Sequence, residues 1–105
     1  MQQEAEEKMS KIYEVRFQTV APGRRAEYVA MYKQAIQEIK QAGCKGGLIL
    51  CSEADPESVL VLLEWESKEQ HQRWRGTPPH TRFRSAVEGW QTKPSTGGYY
   101  LAETI

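Results

Sequence analysis

The chain has 105 residues, with 14 basic and 14 acidic side chains and no formal net charge. A chain of this length forms one domain with a modest core, and its balanced charge excludes strong non-specific attraction to nucleic acid or anionic membranes. Residues 1–10 are polar and acidic, so we expect a tail without a signal peptide, followed by one domain over residues 11–105. The balanced charge leads us to expect neither nucleic-acid nor membrane partners, and no apolar run is long enough to cross a bilayer. The expectation that both cysteines are reduced thiols indicates a cytoplasmic protein.

The first half of the domain predicts a strand and a long helix. Residues 11–20 alternate between two unlike faces, as a β-strand does. The apolar face carries Tyr13, Val15 and Phe17, and the polar face carries Glu14, Arg16 and Gln18. Apolar residues then recur at helical spacing from Tyr28 to Ile39, and Gly43 is a natural cap for the end of that helix.

Two further strands are expected at residues 47–53 and 58–66, joined in a hairpin by a turn at residues 54–57 that contains Asp-Pro. Both are apolar at consecutive positions, so both faces of the sheet centre need cover. The helices cover one face. A second copy of the sheet is the economical cover for the other, which predicts a homodimer.

The remaining residues predict two helices and a last strand. Ser67 and Gln70 form a capping box for a short helix over residues 68–75, and Thr77 with Pro78 begins another. Residues 91–98 are expected to form a polar loop and residues 99–105 the last strand. The order β-α-β-β-α-α-β predicts an α+β, ferredoxin-like split βαβ fold with an antiparallel sheet.

The two cysteines and two histidines give no support for a metal centre. Cys44 and Cys51 lie beside or within one predicted strand, so we expect free thiols rather than a disulfide. No close pairing of histidine with cysteine indicates a zinc site, and we expect no metal.

Several segments together resemble the antibiotic biosynthesis monooxygenase domain. They are Ile12-Tyr13-Glu14-Val15-Arg16, Pro22-Gly23, Glu64-Trp65-Glu66-Ser67, Trp74 and Pro79-His80. The resemblance covers residues 11–105 and implies a dimeric α/β barrel built from two sheets. It also implies cofactor-free oxidation of a quinol or anthrone, with Trp65 at the catalytic tryptophan position and Arg16 or Gln18 as the polar residue of the first strand.

Heme is the less favoured cofactor alternative under the same resemblance. Heme-degrading members of the superfamily need an asparagine on the first strand and a histidine late in the last helix. Arg16 stands about where that asparagine would be, and residues 84–86 offer no histidine.

The site hypothesis assigns roles to eight residues and names Arg82 as a further alternative. Catalysis is assigned to Trp65, to His71 or His80 as base, and to Arg16 as stabiliser of an anion, with Arg82 or Arg84 as alternatives. Substrate binding is assigned to Trp74, Phe83, Arg84 and Gln18. Structural readings compete: both tryptophans belong to the core, His71 lies on an exposed helix face, and Arg16 pairs with Glu14 or Glu64.

The favoured function is therefore cofactor-independent oxidation of a phenolic, quinol or anthrone-like compound by dioxygen. Whether the chain is an enzyme is left open by the sequence. The alternatives are a non-catalytic dimeric module that binds a small molecule, a heme-binding or heme-degrading enzyme, and a cyclase or isomerase of the same fold.

Overall fold

The computed structural model describes residues 11–105, and the tail predicted for residues 1–10 lies outside the described residues. Residues 11–105 form four strands and three helices. In chain order these are β1 (Lys11–Thr19), α1 (Arg25–Gln41), β2 (Gly47–Cys51), β3 (Ser58–Trp65), α2 (Lys68–Trp74), α3 (Pro78–Glu88) and β4 (Thr96–Ala102). Among these helices none is both long and apolar enough to cross a membrane.

The four strands form one sheet in the order β2-β3-β1-β4, and each neighbouring pair is antiparallel. The core lies between this sheet and the helices, where alternate residues of β3 pack with Tyr28, Tyr32 and Ile39 of α1 and with Trp74 and Val87. The predicted α+β, ferredoxin-like fold is confirmed.

Strand β1 turns its polar face toward the helices. Antiparallel partners project from the same face of a sheet, and the partners of the polar β1 residues belong to the core. The pairs are Glu14 with Leu63, Arg16 with Val61, and Gln18 with Val59. Three hydrogen-bonding side chains are therefore held between the sheet and the helices, where a purely structural strand would place apolar ones.

The opposite side of the sheet, here the outer face, is apolar and largely uncovered in the isolated subunit. Phe17, Leu48, Leu50 and Tyr100 are between 43% and 61% exposed. Large apolar side chains grouped on one face of a small protein indicate an interaction surface.

Strand β4 begins at Thr96 and ends at Ala102, so the prediction of a loop up to residue 98 and a strand over residues 99–105 is wrong. Gly97 and Gly98 pair with Arg16 and Val15 of β1. A Cβ on Gly97 would lie 1.8 Å from the Val15 carbonyl oxygen, and its φ is 150°. Glycine usually interrupts a strand, but here it permits a close backbone approach.

The local signals at the helix ends are confirmed. Ser67 Oγ accepts a hydrogen bond from the Gln70 backbone N–H at 3.0 Å, and Gln70 Oε1 accepts one from the Glu66 N–H at 3.1 Å. Gly43 follows α1 with a φ of 113°, which favours glycine. The predicted strands at residues 47–53 and 58–66 each end earlier, at Cys51 and Trp65.

The cysteines of the described chain are free thiols, Cys44 buried and Cys51 exposed. Over residues 11–105, no three histidine, cysteine or carboxylate side chains are grouped closely enough to hold a metal ion.

Candidate functional site

A cavity of about 830 Å³ opens between the polar face of β1, helices α2 and α3, and the segment that leads into β4. Its volume falls within the range of about 300–1,000 Å³ that is usual for small-molecule sites. Aromatic side chains and charged side chains share the wall. The cavity therefore offers both aromatic and polar contacts to a small molecule.

Three side chains from three different elements form a hydrogen-bonded chain in this wall. His71 Nε2 on α2 lies 3.2 Å from Glu14 Oε1 on β1, and His71 Nδ1 lies 2.5 Å from the Tyr99 hydroxyl on β4. Trp65 Nε1 also donates to Glu14 Oε1, at 3.2 Å. The carboxylate is thus anchored on one side of the imidazole, and the phenol stands on the other.

Burial and neighbouring charges set the protonation states of Glu14 and Tyr99 in this hydrogen-bonded chain. Burial by itself raises the pKa of Glu14, but hydrogen bonds and the charge interaction with His71, together with Trp65 and Arg16, hold it below its ordinary value. Burial and the Glu14 charge raise the pKa of Tyr99. Near neutral pH the carboxylate is therefore ionised and the phenol keeps its proton.

The hydrogen bonds also determine what the imidazole does. In the neutral ring, Nε2–H donates to the Glu14 carboxylate, so Nδ1 accepts the proton of the Tyr99 hydroxyl. A carboxylate, an imidazole and a hydroxyl in this order can act as a general-base relay, in which the carboxylate orients the ring and stabilises its protonated form. Tyr99 is partly exposed in the cavity wall and ends the relay there.

His80 lies in the same wall but is held differently. Its Nδ1 accepts the backbone N–H of Gly76 at 3.1 Å, so Nε2 carries the proton of the neutral ring. Burial lowers the pKa of His80, and the charges of Arg84 and Arg75 lower it further. His80 is therefore a neutral hydrogen-bond donor near pH 7, and its geometry does not suit the role of base.

The placement of His71 on an exposed helix face is wrong. His71 is 6% exposed, and its ring packs against Trp65 with centroids 5.0 Å apart. Trp74, three residues further along α2, packs on the same indole at 5.8 Å. The polar neighbours of His71 in the sequence hide this burial, because a helix of two turns buries only the residues of one face.

The two tryptophans predicted for the site have different positions. Trp65 is 2% exposed and belongs to the core, and it is not part of the cavity wall of the described chain. Trp74 belongs to both the core and the cavity wall, with Phe83 beside it at 5.8 Å between ring centroids. The core interpretation thus holds for both residues, and Trp74 adds a surface that a ligand can contact.

Not all of the polar residues predicted for the site line the cavity. Arg16, Gln18 and Arg84 line the cavity, whereas Arg82 contacts Glu38 at 3.6 Å and is not part of the wall. Gln18 is buried and accepts a hydrogen bond from the Tyr28 hydroxyl.

The expected ion pair of Arg16 with Glu14 or Glu64 is wrong. The guanidinium Nε instead donates to Ser95 Oγ at 3.2 Å, and no carboxylate of residues 11–105 lies within ion-pair distance of it. The loop before β4 brings Ser95 close to Arg16. No local sequence pattern indicates this contact, because the two residues are 79 positions apart.

Comparison with known proteins places this geometry in a family. The sequence model described as antibiotic biosynthesis monooxygenase matches residues 12–86. The chain belongs to the antibiotic biosynthesis monooxygenase family. No curated protein matches this chain by sequence.

Solved structures of low sequence identity share the fold of this monooxygenase-family chain. A Bordetella bronchiseptica protein assigned to the same family is 23% identical, with a TM-score of 0.82 over 91% of this chain and 99% of its own. SnoaB of Streptomyces nogalater, described as a cofactor-independent oxygenase, is 18% identical, with a TM-score of 0.77 over 91% and 96%. A conserved protein from Methanosarcina mazei Go1 gives 18% and 0.76 over the same shares.

Sequence reasoning missed two members of the relay in this family member. Glu14 was assigned only as a possible ion-pair partner of Arg16, although its place on the same strand face as Arg16 and Gln18 was a signal that could have linked it to the site. Tyr99 had no comparable signal, because its position depends on the pairing of β4 with β1.

Glu14→Gln is expected to make folding less sensitive to acid. The folded-state pKa of Glu14 lies below its ordinary value of 4.5. Its ionised form therefore stabilises the folded protein above about pH 4.5, and this stabilisation is lost as the pH falls through the folded-state pKa. Thermal unfolding at pH 5 and pH 3 should show a smaller drop in Tm for Glu14→Gln than for the parent protein.

Glu66→Gln, at an exposed position just after β3, is the matched control for this measurement. It should retain the acid sensitivity of the parent. Equal drops in Tm for both variants would contradict the stabilising role of the Glu14 carboxylate.

Proposed function

We propose that this protein is a cofactor-independent monooxygenase that uses dioxygen to oxidise a phenolic, quinol or anthrone-like compound. The observation that carries the proposal is the relay of Glu14, His71 and Tyr99 in the wall of a cavity with aromatic surfaces. An electron-rich aromatic compound reacts with dioxygen once it is deprotonated, so a site for this reaction needs a base, a flat slot and donors for an anion.

The relay supplies the base. The Tyr99 hydroxyl passes its proton to His71 Nδ1 while the phenol oxygen takes the acidic proton of the substrate, and the Glu14 carboxylate stabilises the imidazolium. His71 is the base in this mechanism, and His80, which keeps its proton on Nε2, is a donor to the substrate anion together with Arg16.

The substrate anion then gives one electron to dioxygen, and the resulting radical pair combines to a peroxide anion at the ring carbon. This anion takes back the proton held by His71, which restores the base. Loss of water from the peroxide leaves a carbonyl group, so a CH₂ of an anthrone becomes C=O and the second oxygen atom leaves in water. Dioxygen is both the oxidant and the source of the inserted atom. These steps proceed through the substrate and the side chains of this site, and we propose that no heme, flavin or metal takes part.

The aromatic residues position the substrate and the base relative to each other. Trp74 and Phe83 are the aromatic side chains that contact the ring system of the substrate, and Gln18 and Arg84 contact its polar edge. Trp65 does not contact the substrate and acts as a positioning residue. Its indole N–H donates a hydrogen bond to the Glu14 carboxylate, and its ring packs against His71.

We also propose that two copies of the chain associate through the outer face. Phe17, Leu48, Leu50 and Tyr100 are too exposed in one subunit to be explained as its own core. A second sheet packed on this face buries them and completes the dimeric barrel.

The proposed activity is tested by oxygen uptake. Chelator-treated protein without added cofactor is supplied with anthrone, dithranol and substituted hydroquinones, and uptake is corrected for autoxidation in the absence of protein. We expect uptake on at least one compound, with one dioxygen consumed per carbonyl formed, and a decrease of about tenfold in the Trp65→Phe variant. No uptake on any compound, or uptake only after addition of hemin, would overturn the proposal.

A further inference from the structure

The cavity wall carries more positive charge than negative charge, although the whole chain is neutral. Among residues 11–105 its basic side chains are Arg16, Arg75, Arg84 and Lys93, and its carboxylates are Glu14 and Glu88. Glu88 forms an ion pair with Arg84 at 2.7 Å, and Glu14 contacts His71 at 3.2 Å. Arg16, Arg75 and Lys93 lie beyond ion-pair distance of any carboxylate in this part of the chain.

The same wall is rich in hydrogen-bond donors. Nε2 of His80 carries a proton, because Nδ1 accepts from Gly76. This N–H and the guanidinium groups of the wall are donors suited to a ligand that presents oxygen acceptors.

The titration behaviour of His80 agrees with this charge distribution. After burial, the largest causes that lower the pKa of His80 are the positive charges of Arg84 and Arg75. The negative charge that also faces His80 is Glu14, which opposes them more weakly. The surroundings of His80 in the cavity wall therefore carry more positive charge than negative charge.

We infer that the aromatic substrate of this cavity carries an ionised carboxylate, bound by the basic wall of Arg16, Arg75 and Lys93. The inference rests on the proposed function for the aromatic part of the substrate. A carboxylate is planar and conjugates with an aromatic ring, so it fits the same flat slot, and its two oxygens match the paired N–H groups of a guanidinium.

Calorimetric titration with two matched probes tests the inference. The probes are 2-naphthoate and 2-naphthamide, which have the same ring system and nearly the same shape, but only naphthoate is charged. Neither carries the phenol or CH₂ group that the proposed reaction consumes, so binding is measured without turnover. We expect naphthoate to bind at least tenfold more tightly than naphthamide, and we expect this preference to shrink between 50 mM and 500 mM NaCl.

Substitutions in the wall assign the preference to its basic residues. The double variant Arg75→Gln/Lys93→Gln should lose at least fivefold in naphthoate affinity with naphthamide binding unchanged. Arg73→Gln is the matched control, because Arg73 is exposed on α2, two residues before Arg75, and is not part of the cavity wall. Circular dichroism and thermal unfolding verify that each variant is folded.

The outcomes separate this inference from the proposed function. Equal affinity for the two probes, no binding of either, or a preference that the double variant retains would overturn the inference, whatever the oxygen-uptake result. A carboxylate preference that depends on Arg75 and Lys93 would support it, even if no oxygen uptake is found.

Discussion

Replacing His71 with glutamine is expected to lower kcat/KM for oxygen uptake by at least about 100-fold, in line with the contribution of about 10²–10⁴ that a positioned base makes. A glutamine side chain offers a donor to Glu14 and an acceptor to Tyr99, so it retains the hydrogen bonds of the relay. It has no basic nitrogen, so it cannot take the substrate proton. Tyr99→Phe should have a similar effect, because it removes the hydroxyl that takes the substrate proton in the proposed relay.

His80→Asn is the control for this prediction. The asparagine Oδ1 replaces His80 Nδ1 as the acceptor of the Gly76 N–H and so preserves the turn between α2 and α3. We expect a decrease of about tenfold or less, because this variant removes only a donor to the anion. A His80→Asn variant that is more impaired than His71→Gln would reverse the assignment of the base.

Deuterium exchange distinguishes proton abstraction from oxygenation in the same variants. Incubation of an anthrone with the parent protein in D₂O without dioxygen should label the acidic carbon, and His71→Gln should abolish this labelling. Labelling that depends on His71 without oxygen uptake would favour a cyclase or isomerase, which uses the same first step.

The second large expected effect concerns association of the subunits. Leu48→Glu/Leu50→Glu should raise the dimer dissociation constant at least 100-fold, because a buried unpaired carboxylate in an apolar interface is costly. Both leucines are exposed in the isolated subunit, at 61% and 43%. The fold of the monomer should therefore tolerate the substitutions.

Leu101→Glu is the matched control for the interface. Leu101 is 71% exposed and lies on an edge strand, but it shares the helix-side face with Tyr99, two residues earlier. Sedimentation equilibrium should show a dimer for the parent and for Leu101→Glu, and mostly monomer for the double variant. A monomeric parent protein, or a double variant that stays dimeric, would contradict association through the outer face.

The elements that the sequence predicted well are those whose signals are local. The spacing from Tyr28 to Ile39, Gly43 after α1 and the capping box at Ser67 each report on a few neighbouring residues, and all three are found. The start of β4 was predicted wrongly because it depends on a contact with a strand that is distant in the sequence. Gly97 and Gly98 interrupt a strand by local preference, and only their contact with β1 makes them part of one.

For the site, the sequence by itself determined which residue types are present and that one face of β1 is polar. It identified His71, Trp74, Phe83, Arg16, Gln18, Arg84 and His80, all of which line the cavity. It left the base undecided between two histidines, because the choice depends on which ring nitrogen already accepts a hydrogen bond.

Only the tertiary structure decided that the polar face of β1 points toward the helices and that β4 lies beside β1. These two facts bring Glu14 and Tyr99 to opposite nitrogens of His71, across sequence separations that no local pattern spans. Helix periodicity and capping depend on neighbours within one or two turns, whereas a relay from three elements depends on strand order and register, which the whole chain determines.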